Sequence, residues 1–133
     1  MKGKVLKCRS VSPGKAEGEV LYTEQAISFF GGVDAKTGKI VERGHELEGK
    51  AMAGKILVFP HGKGSTVGSY VIYALKKYGK APLAIVNEEC ETIIAAGAIL
   101  AGIPCVDGID IKLLKNARRI RVDAERSEIE ILE

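Results

Sequence analysis

The chain has 133 residues, the size of one ordinary domain that can bury a substantial core. Hydrophobic residues make up 46% and charged residues 28% of the sequence, which is typical of a globular protein and not of a disordered or fibrous one. The formal net charge of +3 is too small to indicate nucleic acid or an anionic membrane as a partner.

The cysteines argue against a disulfide scaffold, because Cys8, Cys90 and Cys105 are odd in number and have no CxxC spacing. Free thiols are typical of a reducing compartment, so a cytoplasmic location is expected. The first ten residues carry positive charge but no apolar run of the length that a secretory signal needs. The longest apolar stretch, residues 93–106, is broken by glycine and proline and is shorter than the ~20 residues of a membrane span.

The N-terminal part of the chain predicts short strands separated by glycine-rich turns. Strands are expected at residues 4–9 and 18–23. A loop that opens with Asp34 and closes with Gly38 has the residues of a hairpin turn, and it leads into residues 39–42. This region should therefore contribute antiparallel strands.

The middle of the chain predicts strands that alternate with helices. Near-continuous apolar runs at residues 55–59, 83–86 and 103–106 are typical of strands that are buried on both faces. Apolar residues recur at helical spacing over residues 66–78, and Gly79 follows as a stop signal. A helix is therefore expected between the first two of these strands.

A second helix is expected between the last two strands. Asn87 is predicted to cap it, and Glu88, Glu89 and Glu91 place acidic side chains in its first turn, where the helix dipole favours them. Gly102 is predicted to end it. Strand–helix–strand–helix–strand within about fifty residues indicates a parallel or mixed sheet with crossover helices.

The C-terminal segment predicts a hairpin, because residues 119–123 and 128–132 alternate apolar and charged residues around a polar turn. The expected fold is α/β: a mixed sheet with a βαβαβ centre and antiparallel hairpin strands at both ends. No linker, repeat or change of composition divides residues 1–133, so a single domain is expected.

The strongest candidate for a binding site is the glycine-rich segment 59–69, FPHGKGSTVGS. A helix that opens at Ser65 or Thr66 would leave backbone N–H groups free to bind an anion, and the helix dipole and Lys63 would add positive charge. The segment is not a Walker A loop, because Gly64 separates the lysine from the serine, and its glycine spacing differs from the dinucleotide fingerprint. The alternative is an ordinary helix cap on a tight turn.

A second candidate is the segment 28–34, SFFGGVD, whose paired glycines would let another surface approach the backbone closely. The alternative is a glycine turn with Phe29 and Phe30 in the core, whereas an exposed aromatic side chain would indicate a subunit interface. His45 and His61 have no carboxylate or thiol at metal-ligand spacing, so they are expected to be loop histidines without a ligand role.

The remaining candidates are weaker. The three cysteines are expected to pack as small hydrophobic residues. The basic stretch 112–121 is followed at once by acidic residues and has no interleaved aromatics, which favours a solvated face or a partner surface over nucleic acid. No carboxylate pair, Cys–His couple or metal cluster stands out, and a serine alone needs another group to activate it. The domain is therefore either non-catalytic or dependent on a partner for its chemistry.

Several motifs in the same order resemble one family. The chain is similar to the small subunits of the aconitase X family, and within it to those of the archaeal phosphomevalonate dehydratases, over residues 14–108, including SFFGGVD at 28–34, TGKI at 37–40, GKILV at 54–58, GKGS at 62–65 and APLAIVN at 81–87. The resemblance implies a swivelling β/β/α domain that docks on a large subunit as a heterodimer. It also implies that the large subunit carries an iron–sulfur cluster, so that this chain binds no cofactor and its cysteines need not be ligands.

The same resemblance implies an activity. The complex would remove water from (R)-5-phosphomevalonate to give trans-anhydromevalonate 5-phosphate in a mevalonate route to isoprenoids, with the cluster iron acting as Lewis acid on the leaving hydroxyl. Ser65 falls on the family's catalytic serine, which accepts a proton from the carbon beside the carboxylate, and Gly62, Lys63 and Gly64 would bind substrate. Relatives usually carry arginine where Lys63 stands, and a single ammonium cannot form a bidentate contact with an anion, which leaves the fine substrate preference open.

Three alternatives remain open at this point. A related hydro-lyase could act on another hydroxy acid, such as a hydroxyproline derivative, with the same residues. A non-catalytic structural subunit would use Ser65 only as a helix cap. A phosphohistidine swivelling domain, which carries a phosphoryl group, would need a histidine at the start of the second helix, and residues 87–100 contain none.

Overall fold

The structure, a computed structural model, describes residues 2–133. No helix among these residues is long and apolar enough to cross a membrane. Short strands come first and last, and the longer helices lie between them. In chain order the elements are β1 (Val5–Lys7), β2 (Arg9–Ser12), β3 (Lys15–Tyr22), β4 (Ile27–Ser28), a short kinked α1 (Phe29–Gly32), β5 (Val33–Asp34), β6 (Lys39–Ile40), β7 (Lys55–Val58), β8 (Gly62–Lys63), α2 (Gly68–Lys77), β9 (Ala84–Val86), α3 (Thr92–Ala101), β10 (Cys105–Asp107), a 3-10 helix (Ile111–Leu114), β11 (Arg119–Asp123) and β12 (Glu128–Ile131).

The main sheet is mixed, and within the described chain its eight strands follow the order β1-β12-β11-β3-β7-β9-β10-β2. The neighbours β3, β7, β9 and β10 run parallel, which places α2 and α3 as crossover helices between β7, β9 and β10. Antiparallel pairs flank this centre on both sides. The predicted βαβαβ centre with antiparallel strands at both ends is therefore confirmed.

The two edges of this sheet meet. Residues 4–9 were expected to form one strand, but β1 ends at Lys7, β2 begins at Arg9, and only Cys8 separates them. β1 pairs with β12 at one edge of the sheet, whereas β2 pairs with β10 at the other. Since two residues span only about 7 Å, the sheet must curl until its edges adjoin. This closure gives two β layers under one helical layer.

The core lies on both faces of the central strands, which explains their continuous apolar runs. In β7, Leu57 packs with residues of α2 and α3, such as Ile72 and Ile94. Its neighbours Ile56 and Val58 pack on the opposite face, inside the curled sheet. Burial on two sides therefore fixes the position of β7. The candidate segment 59–69 begins directly after this strand.

The helices pack closely against each other because α3 carries a glycine at the contact. A Cβ at Gly97 would lie 2.7 Å from Ile72 Cδ1 and 3.2 Å from Ser69 Cα, so any side chain would push α2 away. At the end of α3, Gly102 has a φ of +71° and forms the left-handed C-cap, as predicted. α2 therefore packs directly on α3, and the start of α2 carries the candidate site.

The prediction that Asn87 caps the second helix is wrong. α3 begins five residues later, and its N-cap is Glu91, whose carboxylate accepts hydrogen bonds from the N–H groups of Ile93 at 3.0 Å and Ile94 at 3.2 Å. Asn87 is buried, and its side-chain N–H donates to Phe59 O at 2.9 Å. Asn87 thus ties the carboxyl ends of β7 and β9 together.

The reason for the delayed helix lies in the neighbouring strand ends. The backbone N–H groups of Glu88 and Glu89 both donate to Pro60 O, at 3.0 and 3.2 Å. The next N–H, that of Cys90, donates to the buried carboxylate of Asp107 at 2.8 Å. Because tertiary acceptors take these donors, the acidic residues form a connecting loop instead of a first helical turn.

Candidate active site

An open pocket of about 290 Å³ lies where the two predicted candidate segments meet. β4 and β8 form a short parallel pair in which Ser28 is opposite Lys63. This pairing brings residues 28–34 and 59–69 together, although they are distant in sequence. The pocket walls are Ser28, Phe30, Gly31, Gly32, Glu42, Lys63 and Gly64.

Glycines are required at both ends of the β8 segment. A Cβ at Gly62 would lie 2.6 Å from Glu91 Oε1 and 2.7 Å from Ile94 Cγ1. Gly64 has a φ of +90°, which disfavours residues with a side chain, and a Cβ there would lie 2.6 Å from Ser28 Oγ. The loop therefore packs on α3 at one end and on β4 at the other, and its path is set by these two contacts.

Ser65 follows this loop and is exposed to solvent. The prediction that the helix opens at Ser65 or Thr66 is corrected, because α2 begins at Gly68 with Val67 as a cap that makes no side-chain hydrogen bond. A tight turn precedes the helix, in which Ser65 O accepts from the Gly68 N–H at 3.0 Å. The Ser65 side chain thus belongs to the turn at the N-terminus of α2 and not to the helix itself.

The surroundings of Ser65 Oγ favour negative charge on that atom. The N–H of Val67 donates to Ser65 Oγ at 3.1 Å, and a donated hydrogen bond stabilises an oxyanion more than a hydroxyl. The ten-residue helix α2 directs the positive end of its dipole toward the same turn. The arrangement could therefore support a serine oxygen that takes up a proton.

The positive charge expected at Lys63 is present but paired. Lys63 Nζ lies 2.9 Å from Glu42 Oε2, across the pocket wall. Glu42 was not a candidate in the sequence, because it is separated from Lys63 by 21 residues and no motif connects the two. Glu42 ends the segment that follows the predicted hairpin, and this segment contacts α1, since the Val41 N–H donates to Gly32 O at 2.9 Å.

The two phenylalanines of the second segment have different environments. Phe29 is buried, and its ring centroid lies 6.1 Å from that of Phe59. Phe30 is 53% exposed, and Val67 and Tyr70 at the start of α2 are exposed as well. One aromatic side chain is therefore part of the core, whereas the other lines the pocket. We use the term apolar rim for the exposed side chains of Phe30, Val67 and Tyr70.

The histidines take no part in the pocket. His45 lies in the loop between β6 and β7, as expected, and is buried: its Nδ1 accepts from the Leu47 N–H at 3.0 Å, and its Nε2 lies 3.1 Å from Ala26 O. Both ring nitrogens are thus used in structural hydrogen bonds. His61 is exposed, with Nδ1 2.8 Å from Gly62 O.

The cysteines do not fit an iron–sulfur cluster. Cys90 Sγ and Cys105 Sγ lie 3.8 Å apart, and this contact together with burial raises the pKa of Cys105 far above its usual range. Burial raises the pKa of Cys8 to about 11. In residues 2–133, no group of three or more His, Cys, Asp or Glu side chains is placed to hold a metal ion.

The basic stretch 112–121 forms ion pairs with acidic residues of neighbouring strands. Arg121 Nη2 lies 2.7 Å from Glu130 Oε1, and Arg119 Nη2 lies 3.7 Å from Glu17 Oε2. Cross-strand pairing of this kind is consistent with the expected solvated face, because the charges neutralise one another.

The family model and the curated relatives indicate one family. Residues 5–131 match the family model described as the aconitase X swivel domain. A protein of Thermococcus kodakarensis named phosphomevalonate dehydratase small subunit is 57% identical over 128 residues, which are 96% of either chain. A protein of the same name from Methanococcoides burtonii is 50% identical over 131 residues, again 96% of either chain.

A solved structure agrees with these matches. The crystal structure of Thermococcus kodakaraensis aconitase X in its holo-form superposes with a TM-score of 0.95 at 56% sequence identity. The superposition covers 98% of this chain and 100% of that chain. The curled mixed sheet with two packed helices is therefore the fold of these relatives.

Proposed function

This chain belongs to the aconitase X swivel domain family, and we propose on that premise that it is the small subunit of a dehydratase acting on (R)-5-phosphomevalonate. The product is trans-anhydromevalonate 5-phosphate, in a mevalonate route to isoprenoids. The observation that carries the proposal is the exposed Ser65, which directly follows the pocket-lining Gly64, in a chain that is similar along its length to dehydratase small subunits. The whole chain, residues 1–133, acts as one swivelling domain.

Ser65 is the proton acceptor in this proposal. Its deprotonated oxygen takes the proton from the carbon beside the substrate carboxylate, the electron pair of that C–H bond forms the new double bond, and the hydroxyl group leaves as hydroxide. The hydroxide becomes water when Ser65 gives up the proton that it took, which restores the deprotonated serine. A serine oxygen needs help to act as a base. The hydrogen bond from the Val67 N–H and the N-terminus of α2 provide it by stabilising negative charge on Oγ.

Gly62, Lys63 and Gly64 hold the anionic substrate. The Lys63 ammonium supplies the positive charge, and the missing side chain at Gly64 leaves the backbone accessible from the pocket. A lysine contacts an anion as a point charge, without the bidentate geometry of arginine. Binding at this loop therefore selects for charge more strongly than for the shape of the anionic group.

The large subunit docks on the apolar rim and closes the pocket. Phe30 lines the pocket, and Val67 and Tyr70 are exposed at the start of α2. Patches of large exposed apolar side chains mark interaction surfaces. We assign the iron–sulfur cluster to the large subunit, because the cysteines of this chain do not fit one. The free thiols are in keeping with a cytoplasmic location.

The test is dehydration of (R)-5-phosphomevalonate by the complex of this chain with the cognate large subunit, co-expressed and reconstituted without oxygen. Ser65→Ala should lower kcat at least ~10³-fold because the proton acceptor is lost. Ser69→Ala is the matched control, since Ser69 Oγ donates one hydrogen bond to Thr66 O at 3.0 Å in the same turn. Both variants should cost only about 1 kcal/mol of stability.

The outcomes separate the alternatives. If the complex with Ser65→Ala remains active, Ser65 is not the proton acceptor. A stable complex that is inert toward phosphomevalonate but dehydrates another hydroxy acid would keep the reaction class and change the substrate. Failure to form any complex would favour a structural domain whose Ser65 only supports the turn before α2.

A further inference from the structure

An ion pair lies at the wall of the pocket. Lys63 Nζ and Glu42 Oε2 are 2.9 Å apart, and both residues line the pocket together with Gly64. Within the described chain, Lys63 has no other ion-pair partner. The charge that the proposed function uses for the substrate is thus held by a second residue, to which that function assigns no role.

Glu42 is less exposed than the lysine that it contacts, at 29% against 46% of the side chain. Its Oε1 is buried and has no hydrogen-bond partner among the described residues. A Cβ at Gly32 would lie 3.3 Å from this oxygen, so the carboxylate rests against the bare backbone of Gly32. The preceding residue is tied to the same glycine, because the Val41 N–H donates to Gly32 O at 2.9 Å. The Lys63 ammonium lies at the end of a flexible four-carbon stem, and within the described residues its one side-chain hydrogen bond is the one to Glu42.

We infer that Glu42 is a positioning residue, which holds the Lys63 ammonium at the pocket wall beside the Gly64–Ser65 turn. The inference rests on the proposed function. A charge held at one place stabilises the developing negative charge without reorganisation during the reaction. The nearby carboxylate also opposes the binding of an anion. Glu42 therefore favours turnover at the expense of affinity.

The inference predicts different changes in kcat and KM for variants of Glu42 and Lys63. Glu42→Gln should lower kcat roughly 10- to 100-fold, because a misplaced group near the reacting atoms costs that much. The KM for phosphomevalonate should stay unchanged or fall, because one negative charge near the substrate is lost. Lys63→Gln should lower kcat and raise KM together. A residue needed only for folding would not produce this contrast.

A double-mutant cycle in the complex tests whether Glu42 acts through Lys63. If it does, adding Glu42→Gln to Lys63→Gln should change kcat less than about twofold. Glu19→Gln is the matched control, since Glu19 pairs with Lys55 at 3.5 Å near the start of β7, while the pocket follows its end. An equal loss of kcat from Glu42→Gln in both backgrounds, or an equal loss from Glu19→Gln, would overturn the inference.

A second measurement does not need turnover and is made on the chains without the large subunit, in which the pocket at Lys63 is open to the reagent. The rate at which an amine-acylating reagent modifies Lys63, followed by peptide mass spectrometry, reports how firmly the amine is held. Glu42→Gln should raise this rate and Glu19→Gln should not, whereas equal rates in all three proteins would overturn the inference. If the wild-type complex does not dehydrate phosphomevalonate, the proposed function fails, and the acylation rates still decide the role of Glu42.

Discussion

Gly64 lies between the lysine and the serine of the candidate site, and two separate features exclude a side chain there. Its φ of +90° lies in the region that favours glycine, and its missing Cβ would lie 2.6 Å from Ser28 Oγ. Gly44 has a similar φ of +81°, but nothing lies within 4 Å of a Cβ placed on it. A comparison of the two glycines therefore separates the free-energy cost of the left-handed backbone from the effect of the contact with Ser28.

Gly64→Ala should destabilise the chain and disable the site, whereas Gly44→Ala should only destabilise it. Each variant forces alanine into a left-handed conformation, at about 1 kcal/mol. In addition, Gly64→Ala pushes the loop away from Ser28 and should lower kcat roughly 100-fold. Urea unfolding and kinetics of the complex measure the two effects.

The control for this prediction is the double variant Ser28→Gly/Gly64→Ala, which removes the obstructing hydroxyl. The double variant should recover part of the lost kcat. Its stability should stay below that of the wild type, because alanine still occupies a left-handed conformation. If Gly44→Ala lowers kcat as much as Gly64→Ala does, the contact with Ser28 is not the cause of the loss.

The loop before α3 and the strands β10 and β2 are joined by one buried carboxylate. Asp107 accepts from Nε and Nη2 of Arg9, both at 2.8 Å, and from the Cys90 N–H at 2.8 Å. Burial alone would raise the pKa of Asp107, but the hydrogen bonds from Arg9 and Cys90 lower it below its usual value. These hydrogen bonds hold the edge strand β2 against β10 and the loop before α3.

Asp107→Asn should destabilise the chain near neutral pH by about 1.5–3 kcal/mol, as expected for buried hydrogen bonds to a charged group. A carboxyl group with a lowered folded pKa stabilises the protein above its unfolded pKa of about 4, and this contribution disappears as the pH falls through the folded value. The difference in unfolding free energy between wild type and variant should therefore shrink below about pH 4.

Urea unfolding of both proteins from pH 7 to pH 3 measures this difference. Asp110→Asn is the control, because Asp110 accepts from the Lys112 N–H at an exposed position. The Asp110→Asn variant should lose as much unfolding free energy at acid pH as the wild type does. If the difference in unfolding free energy between wild type and Asp107→Asn is the same at every pH, the role assigned to the Asp107 carboxylate is wrong.

The proposed docking face for the large subunit is the apolar rim of Phe30, Val67 and Tyr70. Phe30 lines the pocket, and Tyr70 near the start of α2 is 66% exposed. Tyr78, beyond the last residue of the same helix, is also 52% exposed. The two tyrosines lie at opposite ends of α2, and only the first is part of the rim.

Tyr70→Ser should weaken binding of the large subunit at least about tenfold, since buried tyrosines are frequent energetic centres of interfaces. Its effect on the stability of the chain should stay within about 0.5 kcal/mol, as for other exposed positions. Tyr78→Ser should change neither quantity. Titration of the large subunit with each variant measures the affinity, and the reverse order of effects would place the interface at the other end of α2.

Local patterns were sufficient for the order and type of most elements. The continuous apolar runs indicate strands buried on both faces, the alternating C-terminal segment indicates a hairpin, and Gly102 ends a helix, because each signal depends on neighbours a few residues away. The same holds for the glycine-rich loop 62–65. Its composition alone marks a place where the backbone needs unusual conformations or close contacts.

Tertiary structure decided what local patterns could not. The delayed start of α3 depends on acceptors at Pro60 and Asp107, and the curled sheet depends on β1 and β2 pairing at opposite edges. Phe29 and Phe30 are adjacent and chemically identical, yet only one is buried. The approach of Glu42 to Lys63 likewise requires the β4–β8 pair. These features follow from contacts between distant segments, which no short-range periodicity encodes.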